Sequence, residues 1–470
     1  MLTLNAMNVN RLPYEEQVKL NNLINTYNTY FSKNQKKNKY YEGNIRLGDV
    51  NLGIALPQGM QRLEIGCAWG AKTVDVLAAR SMFDGFVGAD GSEAEDLMRM
   101  TYENNLLEEY AKACRDELKF GCTFATLSKA GENSCKVRFH SPQTAAAHWN
   151  GEKGRIDYGF AIIDMVADST GDNWTPSVIN YYTDDAVWVL RKTGANYWVA
   201  EKLPHKMGRP LMEPLIWNAT SNKPFGRSRL KEPVRKLIDG YVRTVANATI
   251  GLEFATAPQK YLLGVTDEQY DAVVSQKFKQ YVGSIIAATW NPETGEKPTF
   301  GQLQQGNISP HVEMIRLLST QFSAATGLSV TDTGVVNEAN PTSSDALEAQ
   351  SKTLVGMAEQ LNTGNGDALQ RIAQMMIAIA NNISLDELSE QQKDIIAHFK
   401  NPSMPSVAVT TDAAIKIASA RPEFASTDVF LEMIGFDQAQ IRRIKAQEVR
   451  TRGLNLVSQL ANEDVIENEA

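Results

Sequence analysis

An α+β fold that is mostly helical is predicted by three features of the chain. Apolar residues recur at helical spacing over long stretches on either side of the middle of the sequence. Between Ala125 and Trp217 the texture changes to short runs of β-branched and aromatic residues broken by Gly, Asp and Asn. Strand-like and helix-like segments are grouped rather than alternating, which points away from a doubly wound parallel sheet.

Taken in order, residues 1–60 read as helix and then loop, with Leu12, Val18, Leu20, Leu23, Ile24, Tyr27 and Phe31 forming the apolar stripe. The basic run KNQKKNKYYEG, from Lys33 to Gly43, reads as a solvated helix end whose lysines complement the helix dipole. Residues 68–130 read as mainly helical, AWGAKTVDVLAAR and then EAEDLMRMTYENNLLEEYAKACRDELKFG, closing on Gly121. VRFHSP, YGFAIIDMVAD, SVINYYTDDAVWVLRK and NYWVAEKL then predict a small antiparallel sheet.

SNKPFGRSRL, from Ser221 to Leu230, is a Pro/Gly hinge before a long helix. That helix carries Leu230, Val234, Leu237, Ile238, Tyr241, Val242, Val245 and Ile250 on one stripe, with Pro233 near its start. A compact mixed segment follows Phe254, with a turn at NPETGEKP. A second helix, SPHVEMIRLLSTQFSAAT, is stopped by Gly327. After the polar loop Thr331–Ser344, a further helix is capped by Ser344 or Asp345 with Glu348 in its first turn. NTGNGD, Asn362 to Asp367, predicts a break in this helix before ALQRIAQMMIAIANN resumes it. From Ile383 onward the chain reads as helix with Pro-rich breaks and an acidic tail, and no internal repeat is found.

Composition narrows the function. An apolar fraction of 43% and a charged fraction of 22% are ordinary for a chain with sizeable cores. Net charge is −8, from 47 basic and 55 acidic residues, which argues against tight grip on phosphates. It permits passive contact with a sliding polyanion, because an acidic wall repels it. The N-terminal stretch lacks a basic start followed by an apolar core and does not read as a signal peptide. The longest apolar runs, such as MMIAIA, are too short to span a bilayer, so no membrane partner is expected. The four cysteines, Cys67, Cys114, Cys122 and Cys135, form no CxxC pair and suggest a reducing compartment. Cys122, Cys135 and His140 are either a metal half-site or buried free thiols beside a histidine.

LEIGCAWGAKTVDVLAARSMFDGFVGAD, from Leu63 to Asp90, has the order of a cofactor cradle: strand, Gly-containing turn, helix, strand, acid. S-adenosylmethionine-dependent methyltransferases open in this way. Here Ala68 stands where the second glycine is needed, Trp69 is bulky, and Asp90 stands 24 residues after Gly66, somewhat longer than the analogous spacing. The alternating strands and helices that should follow are missing, so the stretch reads better as a packing helix with Trp69, Val74 and Leu77 inward. The five histidines form neither HxH nor HExxH, and there is no phosphate loop and no nucleophile elbow. Neither a catalytic residue, a cofactor nor a metal is expected.

Several stretches in order resemble one family. They are WGAKTVDVLAARSMFDGF; NKPFGRSRLKEPVRKLIDGYVRTVANATIGLEFATAPQKYLLG; SPHVEMIRLLSTQFSAATGLSV; NPTSSDALEAQSKTLV; and IRRIKAQEVR. Together they resemble the portal proteins of tailed bacteriophages, the siphophage-type head-to-tail connectors, over nearly the whole chain. One departure is the missing proline near ATGLSVTDTG.

The resemblance implies a portal architecture and a ring-forming subunit, expected as a dodecamer. Its parts would be a wing over 1–226, helical over 1–124 and antiparallel β over 125–226; a first stem helix over 227–254; and a clip over 255–308. A second stem helix over 309–328, a tunnel loop over 329–344, an interrupted wing helix over 345–382 and a helical wing or crown over 383–470 would follow. The implied function is a channel at one capsid vertex through which double-stranded DNA is packaged by the terminase and later ejected. The implied partners are the terminase large subunit, the head–tail adaptor, and the major capsid and scaffolding proteins. Assembly is expected in the host bacterial cytoplasm and the final location in the virion.

Implied DNA-facing loop residues are Asp332, Asn337, Glu338, Asn340, Thr342, Ser343 and Ser344. The stem charges Lys231, Arg235, Arg243 and Arg316 either meet phosphates or pair with Asp239 and Glu313 of neighbouring subunits. Lys277, Lys279, Glu293 and Lys297 are implied terminase or adaptor contacts. The alternatives are a methyltransferase built on the opening motif, or another capsid or adaptor subunit.

Overall fold

The computed structural model describes residues 4–50, 62–88, 95–167, 174–194, 197–256, 260–263, 295, 299–302, 307–335, 344–403, 407–436 and 438–467. Its elements begin with β1 (Asn8–Asn10), α1 (Tyr14–Glu42), β2 (Asn44–Arg46), β3 (Glu64–Gly66), α2 (Trp69–Ala78) and β4 (Phe83–Val87). The helices α3 (Glu95–Glu103) and α4 (Leu106–Phe120) precede eight strands. These are β5 (Cys122–Lys129), β6 (Cys135–His140), β7 (Ala145–Asn150), β8 (Arg155–Ala167), β9 (Trp174–Tyr182), β10 (Ala186–Lys192), β11 (Tyr197–Pro204) and β12 (Met212–Ile216). Next come α5 (Glu232–Thr256), the pair β13 (Lys260–Leu263) and β14 (Thr299–Gln302), and α6 (Ser309–Thr326). The chain continues with α7 (Ser344–Asn381), α8 (Glu390–Lys393), β15 (Ile396–Phe399), α9 (Val407–Ala420), α10 (Asp428–Ile434) and α11 (Gln438–Glu467). Among the described residues no helix is long and apolar enough to cross a membrane.

The chain divides into two compact units. The first comprises residues 1–38, 74–229 and 342–470. Its six-stranded sheet runs β1-β11-β10-β9-β8-β7, antiparallel except where β1 lies parallel to β11. Alternate residues such as Phe160, Ile162, Ile179, Tyr181, Trp188 and Leu190 form one core with the apolar stripe of α1. Of that predicted stripe Leu12, Leu20, Leu23, Ile24, Tyr27 and Phe31 are buried, whereas Val18 is 42% exposed. A three-stranded sheet, β12-β5-β6, packs on α4 and α7.

Three expectations are corrected here. The region 1–124 is not wholly helical: β1 to β4 lie in it, and β5 starts at Cys122, immediately after the Gly121 cap of α4. The helical reading of 383–470 misses β15, which pairs with β4. Strands of three to five residues are too short to show a period-2 pattern against their flanks.

The third correction is that α7 is unbroken from Ser344 to Asn381, straight through NTGNGD. Two glycines there cost about 1 kcal/mol each in helix propensity. Packing overrides this: Leu361, Asn365, Ala368 and Leu369 are buried, and Asn365 donates to Tyr110 Oη and Glu117 Oε2 on α4. The side-chain oxygen of Glu213 on β12 adds a second tie, accepting from Arg371 Nε of α7 at 2.6 Å while Arg209 pairs with the same carboxylate.

The second unit comprises residues 39–73 and 230–341. It contains the antiparallel pairs β2-β3 and β13-β14 and the helices α5 and α6, which pack on each other.

Candidate functional site

The polar loop and stem charges singled out in the sequence fall in the second unit. Leu230, just before α5, and Val234, Ile238, Val242 and Ala246 on it are buried at four-residue spacing, while Leu237, Tyr241, Val245 and Ile250 flank them half-buried. On α6 the buried residues are Leu318, Ser319, Phe322 and Thr326. Leu318 lies where a Cβ on Gly240 would stand 3.2 Å from its Cδ2, so the missing side chain lets the two helices close up. Gly327, at φ +75°, stops α6 by donating its amide to Ser323 O, as the sequence predicts.

Two of the stem charges converge on one tyrosine. Tyr40 Oη donates to Asp239 Oδ1 at 2.6 Å, and the Arg235 guanidinium lies over the Tyr40 ring at 5.9 Å. Arg235 also donates to Leu230 O. Lys231, Glu313 and Arg316 are exposed and Arg243 is half-buried. Tyr40 is absent from the sequence-derived set. It stands 199 residues from Asp239, and no local pattern announces a contact at that separation.

Just after α6 the chain makes a tight turn. Asp332 Oδ2 accepts from Ser329 N at 3.0 Å and Ser329 Oγ at 2.7 Å, closing a single 3-10 turn over Thr331–Thr333. Thr333 Oγ1 donates to Val330 O and is paired with Ser319 Oγ of α6. Trp69, the first residue of α2, donates its Nε1–H to Thr333 O at 3.2 Å. Its indole packs, tilted, against Tyr241 of α5 and Phe322 of α6, with ring centroids 4.5 and 4.7 Å away. Burial raises the pKa of Tyr241 and of Cys67, the latter to about 11. Of the predicted loop residues, Asp332 is therefore placed. Asn337, Glu338, Asn340, Thr342 and Ser343 lie outside the described residues, as do Lys277, Lys279, Glu293 and Lys297. Ser344 is the first residue of α7.

The motif that suggested a cofactor has the predicted local order, β3, α2, β4, but not the sheet. β3 pairs antiparallel with β2, and β4 pairs antiparallel with β15, so the two strands share no sheet and frame no crevice at parallel strand ends. A Cβ on Gly66 would meet nothing within 4 Å, so no close approach requires that glycine. A Cβ on Gly70 would fall 1.9 Å from Tyr40 O. Gly70 is thus needed for the approach of protein backbone rather than of a ligand. Trp69, Val74 and Leu77 are buried, in line with a packing helix.

The thiol arrangement resolves in the same direction. In the β5–β6 hairpin Cys135 pairs with Lys129 and His140 with Phe124, putting Cys135 and His140 at opposite ends, about 17 Å apart along the strand. Cys122 and Cys135 are free and buried, and burial pushes both thiols up to about 12. Burial lowers His140 to about 4. Among the described residues no three His, Cys, Asp or Glu side chains cluster as a metal site.

The family model described as "Phage portal protein, SPP1 Gp6-like" matches residues 20–453. The chain is 23% identical over 397 residues to the portal protein of Mycobacterium phage L5, covering 80% of this chain and 77% of that one. It is 21% identical over 439 residues to the portal protein of Mycobacterium phage D29, covering 90% and 87%. Among solved structures it is similar to a chain from the virion of a native gene transfer agent particle, with TM-score 0.45 and 12% identity over 78% of this chain and 89% of that one. A chain from the neck of the empty particle, computed with C6 symmetry, gives TM-score 0.46 and 13% identity over 78% and 90%. The chain belongs to the SPP1 Gp6-like family of phage portal proteins, structural proteins of the virion.

Proposed function

We propose that copies of this chain close into a ring, expected to be dodecameric, that forms the channel at one capsid vertex. Double-stranded DNA enters through it under the terminase and leaves through it at ejection. In this reading α5 and α6 are the stem, residues 255–308 are the clip, and residues 329–344 are the tunnel loop facing the lumen. Lys277, Lys279, Glu293 and Lys297 meet the terminase large subunit or the head–tail adaptor, and assembly with capsid and scaffolding proteins takes place in the host cytoplasm.

Besides family membership, one observation carries the reading. Helix α6 leaves Met314 and Leu317, neighbours one turn apart, exposed at 43% and 52%, with Leu317 on the side away from the buried residues. A monomer leaves this apolar strip in water, whereas a heterologous interface repeated by rotation covers it in every copy. The loop sequence supports the lumen role. Thr331 to Ser344 carries two acids, Asp332 and Glu338, and neither Lys nor Arg, so passing phosphates are repelled rather than held.

Negative-stain microscopy of the purified protein, together with binding of labelled S-adenosylmethionine, tests the proposal. A monodisperse ring with a central hole supports it. A compact monomer that binds the labelled compound refutes it and restores the enzyme alternative.

A further inference from the structure

We infer that Trp69 is a positioning residue: its indole ties the packing of the two helices α5 and α6 to the turn from which the polar loop departs. The inference rests on the proposed lumen role of that loop and adds the device that sets where the loop begins.

Three observations carry it. Trp69 is only 4% exposed, and both its ring neighbours belong to the helix pair, Tyr241 to α5 and Phe322 to α6. With centroids 4.5 and 4.7 Å away and tilts of 37° and 34°, both rings touch the indole, which is thus a plate shared by the two helices. Its one polar atom, Nε1–H, is spent on the Thr333 carbonyl, in the last residue of the 3-10 turn. A buried indole N–H requires an acceptor, so the carbonyl and the plate are held at a fixed separation.

The base of the plate is itself fixed. Gly70, the next residue, sits so close to the Tyr40 carbonyl that no side chain fits between them, which leaves the start of α2 little room to slide. The turn has a second tie to α6 through Thr333 and Ser319. A change in the separation of α5 and α6 therefore displaces the indole, and the indole displaces the Thr333 carbonyl. Gly334, at φ +86°, follows immediately and closes the turn by donating its amide to Thr331 O, in a conformation that favours glycine.

The test compares full-length wild-type protein with W69F and W69A. W69F keeps a ring to stack on Tyr241 and Phe322 but removes the donor; W69A removes both. Two readouts are needed: hydrogen–deuterium exchange at the turn amides of Asp332, Thr333 and Gly334, and the amount of DNA packaged per capsid.

For W69F the expected result is intact rings and about fivefold faster exchange at these amides, the loss expected from one neutral hydrogen bond. Packaged DNA falls in the same variant. W69A is expected to show the same two effects more strongly. Wild-type exchange in W69F overturns the inference. So does faster exchange with undiminished packaging, which would leave Trp69 a packing residue alone. If the wild type forms no ring, the portal reading itself fails, and that outcome is separate because it does not involve position 69.

Discussion

Asn365 donates its side-chain amide to Glu117 Oε2 at 2.8 Å in the interior of the first unit, where neither residue has any exposed surface. The same amide donates to Tyr110 Oη at 2.9 Å, and Tyr110 pairs with Ser81 Oγ at 2.7 Å. This polar chain joins α7 to α4 and explains why α7 is continuous across a stretch that reads locally as a break. Burial pushes the Glu117 carboxyl up to about 8, against the opposing pull of the Asn365 bond.

A pH dependence follows from Glu117. Because its folded-state pKa lies above the ordinary carboxylate value of 4.5, the folded protein holds this proton more tightly than the unfolded chain. The associated stability is complete at low pH and is lost as pH rises from about 4.5 through about 8. E117Q keeps the shape and cannot ionise. It is expected to be more stable than wild type by roughly 2–4 kcal/mol at about pH 9, with little difference near pH 4. Urea midpoints across this range check it, and a constant difference at all pH values contradicts it.

Gly70 gives a second prediction. Adding a methyl group 1.9 Å from the Tyr40 carbonyl oxygen forces backbone to move, so G70A is expected to lose about 3 kcal/mol or more. G66A, where nothing lies within 4 Å, is expected to change stability by less than about 1 kcal/mol. Thermal or urea unfolding of both variants separates a glycine required by packing from one that is not.

The apolar strip on α6 gives a third. L317E places a charge on a residue that is 52% exposed in one copy, so the subunit should fold with a stability change of about 0.5 kcal/mol or less. Buried against a neighbour, the same charge is costly, and rings should give way to monomers in light scattering. Rings of unaltered mass would place Leu317 outside the subunit interface.

The loop gives a fourth. Deleting Val335 to Pro341 removes no residue of α6, the 3-10 turn or α7 and should leave ring assembly intact. DNA packaging or retention is expected to fail in the deletion. Normal packaging would remove the loop from the mechanism.

Much of this could be read from the residues. The Gly327 stop, the start of α7 at Ser344, the α5 stripe from Leu230 to Val242 and the inward Trp69, Val74 and Leu77 are local or periodic signals, and the structure has them where the spacing puts them. What the sequence conceals depends on distant partners. NTGNGD looks like a break because the burial of Asn365 against α4 is settled 248 residues away, at Glu117. β1 and β15 are too short to be seen until β11 and β4 pair with them. Tyr40 and Trp69 matter to the candidate site through Asp239 and Thr333, and neither pairing has a spacing that a pattern can detect.

The central claim is that the chain forms a ring with residues 329–344 at its lumen, and cryo-electron microscopy of the assembled protein at side-chain resolution tests it most directly. The account predicts a closed ring in which Asp332 and Glu338 line the central channel and Leu317 is covered by the adjacent subunit. A monomer, or a ring that carries this loop on its outer wall, would contradict it.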